Sequence, residues 1–446
     1  MRRFLSLLTL LWLLALLAAS PAALANGRLP ASNYIAFAPS DPSFIVARVT
    51  FGFLLSRDGG KTWEWACEQA VGYSGLEDPA YGIFESGTIV ATLATGLRVS
   101  RDRGCSWEFA PAPVPEKYFI DVAVRRGAPR SGVAAISGYA GASDEAGAAL
   151  FLSQIWATND NGASWTAPGP PLDPTLLVDT LDVAESDPKR LYASATRGSG
   201  TDLRGYLLVS EDAGKTWIER TIPLDPDDRG PYIAAVDPKN ADRLYVRTAV
   251  APDKGARLLV TSDAGKTWEQ KLKGTGPLTG FALSEGGERI WVGGTRDGLH
   301  TASTADMVFT KKSQIQVQCL GVQGKSLWAC SSEASGFVLG VSKDDGATFE
   351  SRLHLAEIRG PLTCDPTTST GKLCTAAWSK QKVELGIESN SGPLVLDAGW
   401  VPNPGPPSPT PVCKCGVVGG APVGLGAVLL GAATALFVLR AGRRRR

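Results

Sequence analysis

The sequence predicts an all-β chain, a single β-propeller of four-stranded antiparallel blades, and three observations predict it. A motif of the form Ser/Thr-x-Asp-x-Gly-x-Ser/Thr-aromatic recurs along most of the 446 residues. Short apolar runs bounded by Pro, Gly, Asn and Asp stand beside the copies, as strands bounded by turns do. The copies are about 40 to 60 residues apart, which is the length of one blade. Composition agrees: 44% hydrophobic and 20% charged residues make a globular chain and not a disordered one.

The N-terminus stands outside the repeat. Arg2 and Arg3, an apolar run over 4–19 and Ala23-Leu24-Ala25 are the basic, apolar and small-residue parts of a secretory signal peptide. Cleavage after Ala25 would leave a mature chain starting at Asn26, and an uncleaved anchor is the alternative.

The repeat then reads SRDGGKTW at 56–63, SRDRGCSW at 100–107 and TNDNGASW at 158–165. SEDAGKTW follows at 210–217, TSDAGKTW at 261–268 and SKDDGATF at 342–349. The 81-residue gap between Asp263 and Asp344 should hide a decayed copy, and TASTADMVF at 301–309 fits it, with Asp306 midway and Phe309 in the aromatic place. Physically such a motif is a hairpin loop. The Asp carboxylate accepts hydrogen bonds from N–H groups of its own turn, Gly supplies a positive φ, and the aromatic ring folds back as a plug. Upstream of several copies lies a second hairpin cue, Asp41-Pro42, Asp187-Pro188 and Asp237-Pro238 between apolar runs. Strand, Asp-Pro turn, two strands, motif loop and strand make one blade. Blades fall near 33–68, 80–112, 118–168, 176–222, 230–273, 278–312 and 316–352. A further segment to Trp400, with strand candidates at 373–378 and 383–388, is read as an eighth blade lacking its motif, with seven blades as the alternative. The ends of the ring are expected to pair in one sheet, which removes an exposed edge. The propeller thus covers residues 26–400.

These motifs resemble the Asp-box of the bacterial neuraminidase (BNR) repeat, shared by sialidase-like, sortilin-like and xyloglucanase-like propellers. The resemblance implies a structural role for Asp58, Trp63, Asp102, Trp107, Asp160, Trp165, Asp212, Trp217, Asp263, Trp268, Asp344 and Phe349.

Six of the eight cysteines lie in the body. Cys319 and Cys330 are placed symmetrically about a turn at Gly324-Lys325, so a disulfide should join them across a hairpin. Cys364 and Cys374 bracket a shorter segment in the same way, which leaves Cys67 for Cys105 by elimination. Disulfides suit an oxidising compartment. Zinc is a poor rival with no CxxC spacing and two histidines, His300 and His354. No metal and no cofactor is expected.

After the body comes a Pro-rich linker, 401–412, then residues 413–446: Cys413-Lys414-Cys415, an uncharged run over 417–439, and Arg440 with Arg443 to Arg446. Twenty-three residues as a helix reach about 35 Å, enough to span a bilayer with the arginines on the cytoplasmic side. This tail resembles the myxobacterial C-terminal sorting signal. The resemblance implies surface display, a sorting protease acting near Cys413 or Cys415, and removal of the helix, so that the membrane is met at least transiently. A plain single-pass anchor is the alternative. Without the terminal arginines the chain carries 38 basic against 44 acidic side chains, which offers no field for nucleic acid.

A sialidase needs an arginine clamp for the substrate carboxylate, a Tyr nucleophile paired with Glu, and an Asp acid/base. Gly27-Arg28-Leu29-Pro30 only faintly echoes the family's aromatic-Arg-Ile-Pro motif, because it lacks the aromatic. Xyloglucanase-like hydrolysis places two carboxylates across a cleft between two propellers, and one ring is all this chain supplies. Asp121, Asp179, Asp182 and Glu185 read as acids on solvated loops. The expectation is therefore an exported, monomeric, non-catalytic binding module for an extracellular glycan or a surface protein, with glycoside hydrolysis as the alternative. Longer excursions at 126–149, 196–204 and 251–256 are expected to crowd one rim, where loops carry function.

Overall fold

The computed structural model describes residues 29–387 except Leu76 and Ala146. The expected signal peptide with Ala25, Arg28, the linker, Cys413, Cys415 and the apolar run at 417–439 all lie outside the described residues.

Among the described residues seven sheets follow one another, each a meander of consecutive antiparallel strands. Blade 1 holds β1 (Ser32–Ala38), β2 (Asp41–Val49), β3 (Gly52–Ser56) and β4 (Glu64–Cys67), and a one-turn helix α1 (Glu68–Val71) follows it. Blade 2 holds β5 (Tyr81–Ile83), β6 (Ile89–Leu93), β7 (Gly96–Ser100) and β8 (Glu108–Phe109). Blade 3 has three strands, β9 (Phe119–Val124), β10 (Gly132–Ser143) and β11 (Ala149–Thr158), and a lone bridge from Ala157 to Thr166 in the fourth place. Blade 4 is β12 (Leu177–Val183), β13 (Leu191–Arg197), β14 (Arg204–Ser210) and β15 (Ile218–Ile222), and blade 5 is β16 (Asp228–Val236), β17 (Leu244–Val250), β18 (Arg257–Thr261) and β19 (Glu269–Lys273). Blade 6 is β20 (Gly280–Leu283), β21 (Arg289–Gly294), β22 (Gly298–Ser303) and β23 (Thr310–Ser313). Blade 7 is β24 (Cys319–Gln323), β25 (Ser326–Cys330), β26 (Leu339–Ser342) and β27 (Glu350–Leu353). The molecule is a seven-bladed β-propeller.

First strands of neighbouring blades touch one another around the ring, so they line the central channel. Second and third strands are sandwiched between blades and buried on both faces, as in IVATL of β6, which is why they read as continuous apolar runs. Fourth strands lie at the circumference and are polar, as in EQKLK of β19. Apolar burial is correspondingly divided into seven clusters, one at each blade-to-blade contact.

Ring closure differs from the expected shared sheet. Each blade is made from its own strands, and Ser32 Oγ donates to the Val338 carbonyl at 2.8 Å across the seam. The chain after blade 7 then crosses to the outer edge of blade 1. There it runs parallel to β4: Arg359 N–H donates to Trp63 O at 3.0 Å, Trp65 N–H to Gly360 O at 2.8 Å and Leu362 N–H to Trp65 O at 2.7 Å. This strap covers the free edge of β4, which would otherwise present unpaired groups.

Among the described residues there is no eighth blade. The strand candidate at 373–378 lies within a helix, α2 (Ser369–Glu384), as does the start of the one at 383–388, whose last residue lies outside the described residues. Thr368 caps it by accepting the Gly371 N–H at 3.1 Å, and half of the run STGKLCTAAWSKQKVE is Ala, Leu, Lys, Gln and Glu, good helix formers. Trp378 packs on Trp65 at 5.7 Å between ring centroids.

Cys319–Cys330 is a disulfide across the β24–β25 hairpin. The other two expected pairs are replaced by Cys67–Cys374 and Cys105–Cys364. A hairpin cannot form between 364 and 374 because the chain turns into α2 there. Both thiols instead face blades 1 and 2, which the strap crosses.

Candidate functional site

The six motif loops share one geometry. A hydroxyl heads each loop, and those of Ser56, Ser100, Thr158, Ser210, Thr261 and Ser342 each donate to the Asp Oδ1 two residues on. The same hydroxyl accepts the N–H of Gly60, Gly104, Gly162, Gly214, Gly265 or Gly346. Asp Oδ1 accepts a further N–H four residues on, as at Asp212 from Thr216 at 2.9 Å. These glycines have positive φ and lie against the preceding blade, so that a Cβ on Gly60 would stand 2.4 Å from the Trp328 ring. Trp63 Nε1 donates to Arg352 O and Trp268 Nε1 to Thr221 O, again on the preceding blade. Trp165 is buried, and Phe349 stacks on Phe337. Trp107 Nε1 returns to its own loop at Gly104 O, and Trp217 is a partly buried neighbour of the blade 3–4 cluster. The hydrogen bonds hold Asp58, Asp160, Asp212, Asp263 and Asp344 ionised. The Thr216 and Thr348 hydroxyls pull Asp212 and Asp344 down to about 2, and Asp263 is lowered in the same way by Thr267. At Asp58 and Asp160 burial opposes ionisation, and the hydrogen bonds outweigh it.

The decayed copy starts two residues later than the sequence suggests. Thr301 is buried within β22, its hydroxyl on Ile290 O, and Ser303 heads a shorter loop in which Met307 takes the positive φ.

Of the four acids read as loop residues, three lie on first strands. Asp121 is on β9, and Asp179 and Asp182 are on β12, all half-buried. Burial in the ring raises Asp121 to about 6, against bonds from Leu181 N–H (2.9 Å) and Val122 N–H. Burial raises Asp182 to about 7, with Asp121 adding to it and Val183 N–H opposing. Burial also raises Asp179 well above its ordinary value, and its Oδ2 has no partner. The field is shared with Tyr34, which burial and then Asp121 push upward, and with Arg48 and Arg126. Arg48 lies 5.6 Å from the centre of the Tyr34 ring, and Tyr34 meets Tyr81 edge to face at 5.0 Å. Glu185 accepts the N–H groups of Arg126 and Gly127, which ties the blade 3 turn to blade 4.

Sequence periodicity misses these residues because first strands are bulged. Register shifts fall between Ser32 and Tyr34 in β1, Val178 and Thr180 in β12, and Asp228 and Gly230 in β16. Each bulge breaks the two-residue alternation and re-aims a side chain. Asp179 is the extra residue of its bulge.

Because first and third strands run the same way, the Asp-Pro turns and motif loops emerge at one end of the channel. Second-to-third hairpins emerge at the other end. Those at 138–149, 197–204 and 250–257 belong to three adjacent blades, so the longer excursions stand together. The first of them begins only after Ser137, since 126–131 forms a turn at the opposite end. Tyr139, on the blade 3 hairpin, is 60% exposed, and Tyr118, just before β9, is 41% exposed. Tyr118 O accepts Ser137 N–H, and a Cβ on Gly138 would lie 3.7 Å from the Tyr118 ring, so Tyr118 lies beside the stretch of β10 that carries Tyr139.

Among the described residues no three His, Cys, Asp or Glu side chains come together as metal ligands. Nor is any helix among them long and apolar enough to cross a membrane.

No family model matches the chain, and no curated protein matches it. Its fold is similar to that of an ancestral GH74 enzyme, at 15% identity and a TM-score of 0.53, over 74% of this chain and 47% of that one. The chain thus spans about half the length of that enzyme. A GH74 enzyme of Niastella koreensis aligns at 12% identity with a TM-score of 0.31, covering 72% of this chain and 71% of its own. The extracellular domain of a one component system from B. thetaiotaomicron aligns at 10% identity and 0.48, covering 70% and 38%.

Proposed function

We propose that this chain is an exported, non-catalytic binding module whose hairpin face holds an extracellular polysaccharide or a surface protein. The observation that carries this reading is the pair of exposed rings, Tyr118 and Tyr139, at the end of the channel where three adjacent blades raise their hairpins. An aromatic face with a polar tip suits stacking on a sugar ring beside water. The six loops serve as Asp-boxes, holding each blade to the one before it. Export is supported by the three disulfides, and in this reading residues 1–25 and 413–446 direct it.

A binding role is also supported by the engagement of two buried arginines and one half-buried arginine with the fold. Arg48 donates to Asp78 O and Pro79 O, Arg125 to Ala184 O and Pro188 O, and Arg247 to Leu278 O. A carboxylate clamp needs such groups free. The second reading, glycoside hydrolysis, is favoured by Asp121 and Asp182, two channel carboxylates held near neutral pKa beside Tyr34.

The purified protein is incubated with insoluble polysaccharides, sialylated glycoconjugates and envelope preparations, with retention and released sugar read from the same tubes. Retention without release, lost in Tyr118→Ala/Tyr139→Ala, is the expected result. Released sugar that disappears in Asp121→Asn or Asp182→Asn overturns it in favour of the hydrolase.

A further inference from the structure

The seam where the ring closes holds a second, chemically different site. A groove of ≈ 470 Å³ lies between the first motif loop, the outer strand β27 and the start of the strap. Lys61, Arg352, His354 and Arg359 line it, with Glu357 and Ser351.

The charges in this groove are poorly answered. Arg352 pairs with Glu350 at 2.9 Å through Nη2, while its Nε is buried without a partner. Lys61 and Arg359 are exposed, and their side chains meet no acid or hydrogen-bond acceptor among the described residues. His354 has its Nδ1 on Glu333 at 2.9 Å, and one Glu357 oxygen is taken by the His354 N–H at 2.8 Å. Glu357 is the one carboxylate on the lining.

Other seams are closed differently. Arg220 stands three residues after Trp217, as Arg352 stands three after Phe349. It donates to the carbonyls of Asp263 and Ala264 in the next blade's loop. Arg352 makes no such bond to the loop of blade 1. Cations at the other seams meet acids across them: Arg103 with Asp41, Arg190 with Asp242, Lys239 with Glu288 and Arg289 with Asp345. The closing seam alone, among these, combines an open groove with unmatched cations.

We infer that this groove binds a carboxylate-bearing saccharide. Guanidinium and ammonium groups take the carboxylate, and bidentate geometry suits Arg359. Ser351 and the free oxygen of Glu357 are placed to hydrogen-bond sugar hydroxyls. The volume is that of a small-ligand cleft. The inference extends the glycan-binding reading to a second place on the molecule, and it does not use Tyr118 or Tyr139.

Binding is read by isothermal titration calorimetry. The full chain is titrated with oligogalacturonate, with neutral galactan oligomers, with a sulfated oligosaccharide and with polyphosphate. Oligogalacturonate should bind best, and Lys61→Gln/Arg359→Gln should weaken it at least about tenfold with an unchanged melting temperature. Tyr118→Ala/Tyr139→Ala should leave this titration as it was while abolishing retention on the hairpin face, which separates failure of one site from failure of the other. Unchanged affinity in the Lys61/Arg359 variant, or equal binding of polyphosphate, overturns the proposal.

Discussion

The strap makes a quantitative prediction about how the ring is held. Cys67–Cys374 joins residues 307 apart, and Cys105–Cys364, nested within it, joins residues 259 apart. With the inner bridge intact, the outer one constrains only the difference in the unfolded chain, about 48 residues. Loop-closure entropy makes that constraint worth about 4 kcal/mol. Cys67→Ala/Cys374→Ala should therefore cost about 4 kcal/mol. Removing the second bridge as well opens a loop of 259 residues and should cost more, about 5.5 kcal/mol. With about 2.1 cal/mol/K of unfolding entropy per residue, the first loss corresponds to roughly 5 °C in melting temperature for a ring of this size. Calorimetry under non-reducing conditions on the single-bridge and no-bridge variants measures both steps. If the first removal shifts the midpoint by less than about 1 °C, or costs more than the second, the strap is not acting through the unfolded chain and the reasoning fails.

Further outcomes follow from the loops and the channel. Asp58, Asp160, Asp212, Asp263 and Asp344 have lowered pKa values, so their stabilisation is present above the ordinary value of 3.8 and is lost as pH falls through the lower folded values. Asp121 and Asp182 are raised, to about 6 and about 7, so their contribution is present below 3.8 and lost as pH rises to 7. Melting temperature should thus peak near about pH 4 to 5, and Asp182→Asn should flatten the decline toward neutrality; a maximum at pH 7 or above contradicts this assignment. Gly60→Ala, which sets a Cβ 2.4 Å from Trp328 at a φ of +83°, should destabilise the ring by about 1–3 kcal/mol in denaturant unfolding. A change below about 0.5 kcal/mol would show that the closing seam yields freely. Asp212→Ala should shift local protection at Lys215 and Thr216, whose N–H groups it binds, and leave exchange in β16 unchanged.

The repeat was legible because each motif is local: hydroxyl, Asp, Gly and aromatic act within eight residues. Blade limits followed from it, and the β24–β25 disulfide followed from symmetry about a two-residue turn. What escaped was long-range or irregular. No local pattern distinguishes Cys364 pairing with Cys105 from Cys364 pairing with Cys374, because that choice depends on where the strap crosses the ring. The segment after blade 7 carries the apolar residues Leu373, Ala376, Ala377 and Trp378, a short run that suits a strand as well as a helix, and contact with Trp65 and the Thr368 cap decides for α2. Asp121, Asp179 and Asp182 looked like surface acids because bulges hide the innermost strands from a two-residue period. Tyr34 carried no motif at all. It becomes a candidate only once β1 is known to face Asp121.

The strap also has a consequence in time. Cys67 finds its partner 307 positions later in the chain, so in an oxidising compartment its native bridge must wait until the strap has arrived. During that interval the edge of β4 is bare and two early thiols stand reduced beside finished blades. Every premature bridge between Cys67 and Cys105, the pair that sequence order would suggest, is a dead end until exchange undoes it. The chain is therefore closed last where it was made first, because Cys67 and Cys105 meet their partners only once the strap has followed the seventh blade.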